Sequence, residues 1–177
     1  MLKQWQAEGV DTQYLVRDDK AATGAAVIQV AESGEKQIFA ASNANANLSL
    51  EDIRRAEAIK KTQMLVTQLE VPLETILNAA RLAYEAGAKI ILDPAPPREI
   101  PDELLQLLHV IKPNSSEAEK LTGIKVKDRA SARQAADKLL AQGVKAVAIQ
   151  AGDEGNLLVW GEGESWLPKI PVKSVDA

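Results

Sequence analysis

The sequence contains no cysteine, which excludes disulfide bonds, a thiolate nucleophile and cysteine-ligated zinc. It also has no uninterrupted apolar stretch of the length that a membrane crossing needs. Residues 1–15 lack the apolar core of a secretory signal. These absences predict a cytoplasmic protein without a membrane partner.

Basic residues are not in excess, because 21 lysines and arginines stand against 25 aspartates and glutamates, a formal net charge of −4. This balance argues against nucleic acid as a partner, since such binding depends on neutralising phosphates. The one histidine, His109, lies between apolar residues. We predict that it packs at the start of a strand rather than acting in catalysis. A length of 177 residues with a hydrophobic share of 46% predicts a single domain, residues 1–177.

Two apolar runs within residues 22–42 flank the turn signal at 32–35 and predict a β-hairpin. After a helix start capped by Ser49 and Asp52, strand and helix patterns alternate along the chain. The predicted strands are 64–69, 89–92, 109–111, 144–149 and a final hairpin of 156–160 with 165–167. Four helices are predicted between these strands. The first begins at Pro72 and ends at Gly87, the second lies near 101–107, and the third ends at Gly123. The fourth runs from about Ser131 to Gln142, with Gln134 completing a capping box. This alternation predicts an α/β fold with a mostly parallel sheet and flanking helices.

Polar residues that directly follow a strand are candidate site residues, because ligands of such sheets bind beyond the carboxyl ends of the strands. These residues are Glu70, Asp93, Asn114 with Glu117, and the turn from Gln150 to Gly155.

Asn114 and Glu117 allow two interpretations. Asn-x-x-Glu is a capping box, which satisfies two backbone donors at a helix start. Alternatively, the Glu117 carboxylate holds a hydrated Mg²⁺ through its water ligands, and the Asn114 amide donates to a phosphate oxygen. Mg²⁺ dehydrates reluctantly and is often bound by one or two carboxylates plus substrate phosphates. A second capping box, Ser116 with Glu119, overlaps the first.

The other candidates are also open. Glu70 is placed either to accept hydrogen bonds from sugar hydroxyls or to stand as a solvated acid at a helix N-terminus. Asp93 is placed to stabilise its turn through an Asx-type bond. The two glycines of the turn 150–155 permit close backbone approach to a ligand, but a plain strand–turn–strand explains them as well. The sequence has no Walker A motif.

Several motifs in register resemble one family. MLVTQLEVPLETIL, IILDPAPPRE, VIKPNSSEAEKLTG and VAIQAGDEG, with ATGAAVIQV, NANANLS and the terminal VDA, resemble the ribokinase-like carbohydrate kinase family over the whole chain. The resemblance implies a ribokinase-like, Rossmann-type fold and transfer of the γ-phosphoryl group of ATP to a primary hydroxyl of a pentose. QLE-x-PLE with PAP favours D-ribose as that pentose. The resemblance also implies Mg²⁺ as a required cofactor and K⁺ as an activator.

By position, the resemblance assigns Glu70 to sugar hydroxyls, Asn114 to nucleotide phosphates and Glu117 to Mg²⁺ through water. Asp176 matches an aspartate that binds the monovalent cation. The hairpin 22–42 would be a lid over the sugar, and the intact protein would form a homodimer through it. The remaining nucleotide-binding assignments are Gln150, Ala151, Gly152, Asp153, Glu154 and Gly155. Family members usually carry a hydroxyl residue where Gln150 stands.

Two departures from the family pattern bear on activity. The family opens with a strand that carries a sugar-binding Asn and Asp before a Gly-Gly segment, whereas this sequence starts at MLKQWQAEGVD. The family also continues after V-D-T with a glycine-rich turn that ends in the catalytic aspartate, whereas this sequence ends at Asp176-Ala177. We therefore expect an incomplete domain without a catalytic residue of its own, in which bared sheet edges favour self-association. The alternatives are a kinase for another sugar or a nucleoside, a non-catalytic nucleotide-binding protein, and a purely structural fragment.

We expect the 177-residue polypeptide by itself to show no measurable sugar phosphorylation. Loss of a positioned general base costs about 10²–10⁴-fold in rate, and loss of a preorganised anion site costs a similar factor. The measurement is a coupled ATPase assay with ribose. Turnover at or above roughly 1 s⁻¹ would contradict the expectation.

Overall fold

The computed structural model describes residues 2–32, 34, 36–152 and 154–170. Within these ranges the helices are α1 (Leu2–Ala7), α2 (Leu50–Arg55), α3 (Leu73–Glu85), α4 (Asp102–Leu107), α5 (Ser115–Thr122) and α6 (Arg129–Ala141). The strands are β1 (Ala25–Val30), β2 (Lys36–Ala41), β3 (Met64–Thr67), β4 (Lys89–Leu92), β5 (Val110–Ile111), β6 (Ala146–Ala151), β7 (Gly155–Trp160) and β8 (Gly163–Pro168). Short 3-10 helices cover Asn43–Asn47 and Glu57–Lys60. No helix in the described ranges is long and apolar enough to cross a membrane.

Strands β3 to β8 form one six-stranded sheet in chain order. Neighbouring strands from β3 to β6 pair in parallel, while β7 and β8 are added in antiparallel orientation. The register places Thr67 beside Leu92, Leu92 beside Ile111, and Ile111 beside Val147. The prediction of a mostly parallel sheet with flanking helices is therefore confirmed.

The hydrophobic core forms where the crossover helices pack on this sheet. The buried strand residues include Ile90, Leu92, Ile111, Val147 and Ile149, each with no solvent-exposed area. Helix α3 packs through a single face, because its buried residues recur at spacings of three and four along the helix. That face consists of Thr75, Ile76, Ala79, Ala80 and Ala83.

The hairpin predicted within residues 22–42 is present as a separate two-stranded antiparallel sheet. Strands β1 and β2 pair from Ala25 with Ala41 to Val30 with Lys36. Every residue in both strands is exposed, including Val27 at 67% and Ile38 at 62%. The hairpin thus lies outside the core, and its apolar side chains are open to solvent in the described structure.

The helix starts show where local sequence signals compete. Ser49 caps α2 in a reciprocal bond with Asp52, as predicted. The helix predicted from about Ser131 to Gln142 is present as α6, but it begins earlier, because Asp128 is its N-cap and Ser131 occupies the third helical position. The Asp128 carboxylate accepts a hydrogen bond from the Ser131 hydroxyl, and this bond is the main reason that the pKa of Asp128 is lowered. Asp and Ser are about equally good N-cap residues, and here the helix begins after the earlier of the two, Asp128.

His109 lies directly before β5 and is half-buried, as predicted for a residue at a strand start. Its Nδ1 accepts a hydrogen bond from the Ile90 N–H at 3.2 Å, and its ring lies against that of Tyr84. Burial lowers the pKa of His109, and the neighbouring Lys89 and Lys145 lower it further. The described contacts of His109 are those of a packed, neutral side chain.

Gly155, the first residue of β7, should not tolerate a side chain. A Cβ there would overlap the Leu167 carbonyl oxygen and lie 2.9 Å from Pro168 Cα, and the φ of +149° is unfavourable for other residues. We expect Gly155→Ala to lower the free energy of unfolding by about 1–3 kcal/mol. Gly161→Ala is the matched control, because its Cβ would have no atom within 4 Å. Urea denaturation measures both, and equal stability of the two variants would contradict the packing argument.

Candidate functional site

The carboxyl ends of four parallel strands present candidate residues at equivalent positions. Thr67, Leu92, Ile111 and Val147 share one register across the sheet. The residues three places further along the chain are Glu70, Ala95, Asn114 and Gln150. Because the strands are parallel and in register, the four residues lie toward the same edge of the sheet, the first three in loops and Gln150 near the end of β6.

A cavity of about 460 Å³ lies between this edge and the hairpin. Glu70, Ala95, Pro96 and Glu117 line it from the side of the sheet. From the side of the hairpin the lining residues are Gly24, Ala25, Ala26, Ile38, Ala40, Ala41, Ser42 and Asn45. The structure thus brings Glu70 and Glu117 into one cavity, although they follow different strands.

Glu70 is exposed and makes no hydrogen bond or ion pair with any described residue. Its main chain, in contrast, is held by the loop that follows β4. The Leu69 N–H donates to the Ala95 carbonyl at 2.8 Å. The Arg98 guanidinium donates to the carbonyls of Leu69 and Val71, each at 2.7 Å. Glu70 thus has a fixed main chain and a carboxylate without a partner among the described residues, which suits a residue that accepts hydrogen bonds from a ligand.

Asn114 and Glu117 form the predicted capping box at the start of α5. The Glu117 N–H donates to Asn114 Oδ1 at 2.9 Å, and the Asn114 N–H donates to Glu117 Oε2 at 2.8 Å. The overlapping box of Ser116 with Glu119 is not formed; the Ser116 hydroxyl instead donates to Asn114 Oδ1 at 2.9 Å. The capping interpretation is therefore confirmed as far as these bonds go.

Capping leaves part of both side chains available. Glu117 is only 6% exposed and lines the cavity. Its Oε2 is engaged by the cap, whereas its Oε1 accepts no hydrogen bond from the described residues. Asn114 is exposed, and its side-chain N–H groups likewise have no acceptor there. One carboxylate oxygen and one amide donor group thus remain free for a ligand.

The turn from Gln150 to Gly155 joins β6 to β7 as a plain strand–turn–strand, with Gly152 at a φ of +57°. It is tied to the start of α5 by Ser115, whose hydroxyl donates to the Gln150 carbonyl at 2.8 Å and accepts from the Gly152 N–H at 3.2 Å. Ala151 is buried at the end of β6, and the Glu154 N–H donates to its carbonyl. The turn is thus held against the start of α5 but does not line the cavity that holds Glu70 and Glu117.

Three sequence-based predictions need comment. Asp93 makes no Asx-type bond with the described residues; its carboxylate lies 3.9 Å from Lys112 Nζ, so that prediction is wrong. Asp153 and Asp176 lie outside the described residues. A cation at the Asp176 position therefore stays a prediction.

The described residues contain no group of three or more Asp, Glu or His side chains placed to hold a metal ion. Among the described carboxylates, that of Glu117 lines the cavity and also lies in the first turn of α5, the helix that is tied to the turn 150–155. Its free oxygen fits a water ligand of Mg²⁺, since Mg²⁺ keeps several waters and takes its other ligands from phosphates.

Sequence analysis missed Asn45 and Ser115. Asn43 and Asn47 in the same run are tied to Thr23 and Asp18, whereas Asn45 lines the cavity. The regular spacing of three asparagines was the available signal for Asn45. In the sequence, no feature distinguishes Ser115 from any other residue at a helix start. Only the structure shows that its hydroxyl bonds to the turn 150–155.

Removal of the Asn114 side chain should destabilise α5. Asn114→Ala deletes the acceptor for the Glu117 N–H and the Ser116 hydroxyl, so we expect the free energy of unfolding to fall by about 0.5–2 kcal/mol. Asn114→Asp keeps an acceptor at the same place and serves as control, with a change within about 0.5 kcal/mol. Urea denaturation measures both. If both variants lose the same stability, the cap does not stabilise this helix.

The chain matches the model of the family described as pfkB family carbohydrate kinase over residues 1–177. A ribokinase from Haemophilus influenzae is 43% identical over 149 residues, which are 84% of this chain and 49% of that protein. A deoxyribokinase from Salmonella typhi is 34% identical over 177 residues, which are 99% of this chain and 57% of that protein. The solved structure of Arabidopsis thaliana ribokinase complexed with ribose and ATP superimposes with a TM-score of 0.81 and 28% identity, covering 94% of this chain and 55% of that one.

The chain spans about half the length of the curated relatives it matches. The family match, in contrast, extends along all 177 residues. The fold agrees with it, because the superposition includes nearly the whole described chain. The chain belongs to the pfkB family of carbohydrate kinases.

Proposed function

We propose that this chain supplies the sugar cavity and part of the nucleotide site of an ATP-dependent kinase that phosphorylates D-ribose to ribose 5-phosphate. The observation that supports this most is the cavity shared by Glu70 and Glu117 beneath the hairpin. One carboxylate is free and exposed, and the other is buried beside a helix start. The exposed carboxylate suits a sugar, whose hydroxyls donate hydrogen bonds. The buried carboxylate suits the metal that is bound to a phosphate.

Each residue has a role in this proposal that its contacts allow. Glu70 accepts hydrogen bonds from sugar hydroxyls, because its carboxylate has no partner among the described residues. Asn114 donates its free amide hydrogens to a nucleotide phosphate, and the turn from Gln150 to Gly155 lies along the nucleotide. Glu117 holds a water of Mg²⁺ through Oε1. When bound, Mg²⁺ neutralises charge on the transferring phosphoryl group.

The hairpin acts as a lid in this proposal. Its residues from Gly24 to Ala26 and from Ala40 to Ser42 form one wall of the cavity. A lid that covers the sugar excludes water, which protects ATP from unproductive hydrolysis. The exposed Val27, Ile28 and Phe39 support a homodimer formed through this hairpin, because solvent-exposed apolar patches commonly mark interfaces.

The second candidate acceptor is 2-deoxyribose. The deoxyribokinase from Salmonella typhi is 34% identical to this chain over 177 residues, and so is the ribokinase from Staphylococcus aureus. The described walls of the cavity do not discriminate between the two sugars, since Glu70 can accept a hydrogen bond from any hydroxyl within reach. The choice of acceptor is therefore part of the experiment.

The test uses the longest natural polypeptide that contains this sequence. We expect phosphorylation of D-ribose by ATP and Mg²⁺ at roughly 1–100 s⁻¹, with 2-deoxyribose, fructose and adenosine slower. A coupled assay of ADP release measures all four acceptors. Faster turnover of another acceptor would reassign the substrate, and absence of turnover with all four would contradict the proposed activity.

Glu117→Gln separates the metal role from the capping role. The glutamine carbonyl still accepts from the Asn114 N–H, so the cap is kept. We expect the free energy of unfolding to fall by no more than about 1 kcal/mol, because the negative charge at the helix N-terminus is lost. Loss of the charge should lower kcat/KM about 10- to 100-fold and raise the Mg²⁺ concentration needed for half-maximal rate. Glu119→Gln is the control, because Glu119 is an exposed carboxylate on the same helix. An unchanged Mg²⁺ dependence in Glu117→Gln would show that this carboxylate does not serve the metal.

A further inference from the structure

Arg98 holds the main chain on both sides of Glu70. It lies in the loop that follows β4, and its Nη2 donates to the carbonyl oxygens of Leu69 and Val71, each at 2.7 Å. These carbonyls belong to the residues immediately before and after Glu70. A third bond, from the Leu69 N–H to the Ala95 carbonyl at 2.8 Å, joins the same two loops.

The charge of Arg98 is directed at the main chain rather than at a carboxylate. Arg55, Arg81, Arg129 and Arg133 each form an ion pair with an acidic side chain. Arg98 has no such pair among the described residues. Hydrogen bonds from a charged donor are shorter and stronger than those from a neutral one. A planar NH₂ group also has two diverging hydrogens, which suits two acceptors on either side of one residue.

Glu70 depends on this support because its own side chain has no partner among the described residues. The described hydrogen bonds that position Glu70 are therefore those of the main chain on either side of it. Arg98 itself does not line the cavity that contains Glu70; it lines a separate hollow of about 240 Å³ with Lys120 and Gln142. Its influence on a ligand of Glu70 must pass through the loop.

We propose that Arg98 is a positioning residue that sets the affinity of the Glu70 carboxylate for the sugar. The proposal rests on the proposed function, in which Glu70 accepts hydrogen bonds from sugar hydroxyls. Arg98 also joins two walls of the cavity, because its own loop supplies Ala95 and Pro96. Loss of the bridge lets the segment from Gln68 to Pro72 move relative to these residues. Displacement of a binding group by about 1 Å is costly for a bound substrate.

The first measurement is amide hydrogen exchange, which requires no activity. In Arg98→Ala we expect faster exchange of the Leu69 amide, because its bond to Ala95 is no longer supported by the bonds from Arg98 to the same loop. The amides of α6 should exchange at the same rate as before. Arg81→Ala is the matched control, because it removes an arginine that contacts Glu103 at the surface. Should Arg98→Ala fail to fold, Arg98→Lys and Arg98→Gln keep a donor of reduced reach. Unchanged exchange at Leu69 in the folded variants overturns the proposal.

The second measurement is steady-state kinetics on the longest natural polypeptide that contains the sequence. We expect Arg98→Ala to raise the KM for ribose on the order of 10- to 100-fold, with the KM for ATP unchanged and an intermediate ribose KM in Arg98→Lys. Arg81→Ala should leave both constants unchanged. An unaltered ribose KM in Arg98→Ala, or an equal rise in both KM values, overturns the proposal. If the unsubstituted polypeptide phosphorylates no sugar, the proposed function fails, and exchange at Leu69 alone decides whether Arg98 holds the loop.

Discussion

The in-register parallel pairing of β3, β4, β5 and β6 is the constraint on which the site depends. It aligns Thr67, Leu92, Ile111 and Val147 across the sheet, so that the loops after them leave at one edge. Residues far apart in the chain thereby come to line one cavity, as Glu70 and Glu117 show. The buried Ile90, Leu92 and Val147 maintain this register, because a shift by one residue would turn apolar side chains out of the core.

Glu117 uses one carboxylate oxygen in the helix cap and leaves the other without a partner among the described residues. The Oε2 oxygen accepts the N–H of Asn114 and completes the cap of α5, and Glu117 is also one of the residues that line the cavity. A negative charge at a helix N-terminus is favoured by the exposed N–H groups of the first turn. The cap also fixes the side-chain direction, which a metal-binding group requires. Capping and metal binding are therefore compatible at this position.

The hairpin that forms one wall of the cavity is closely packed at its base, whereas its strands are exposed. A two-stranded sheet with both faces exposed has little stability of its own. Its base is closely packed, since a Cβ at Gly24 would lie 3.0 Å from Asn45 Nδ2 and 3.1 Å from the Ser42 carbonyl. The Asn43 amide also donates to the Thr23 carbonyl at 3.2 Å. These contacts hold the two ends of the hairpin together beside Asn45, which lines the cavity.

The sequence by itself determined the hairpin, the order of strands and helices, and the capping box of Asn114 with Glu117. All of these depend on interactions between residues close together in the chain, whose spacing can be read directly. The same local reading gave α6 the wrong start, because Asp128 and Ser131 are both good caps and the sequence does not rank them. Tertiary structure alone decided that Glu70 and Glu117 share a cavity, that Ser115 ties α5 to the turn 150–155, and that Arg98 bonds to the main chain on both sides of Glu70. These contacts join residues 27 to 47 positions apart, and the packing of the sheet and its loops, rather than any local pattern, brings them within hydrogen-bonding distance or into one cavity.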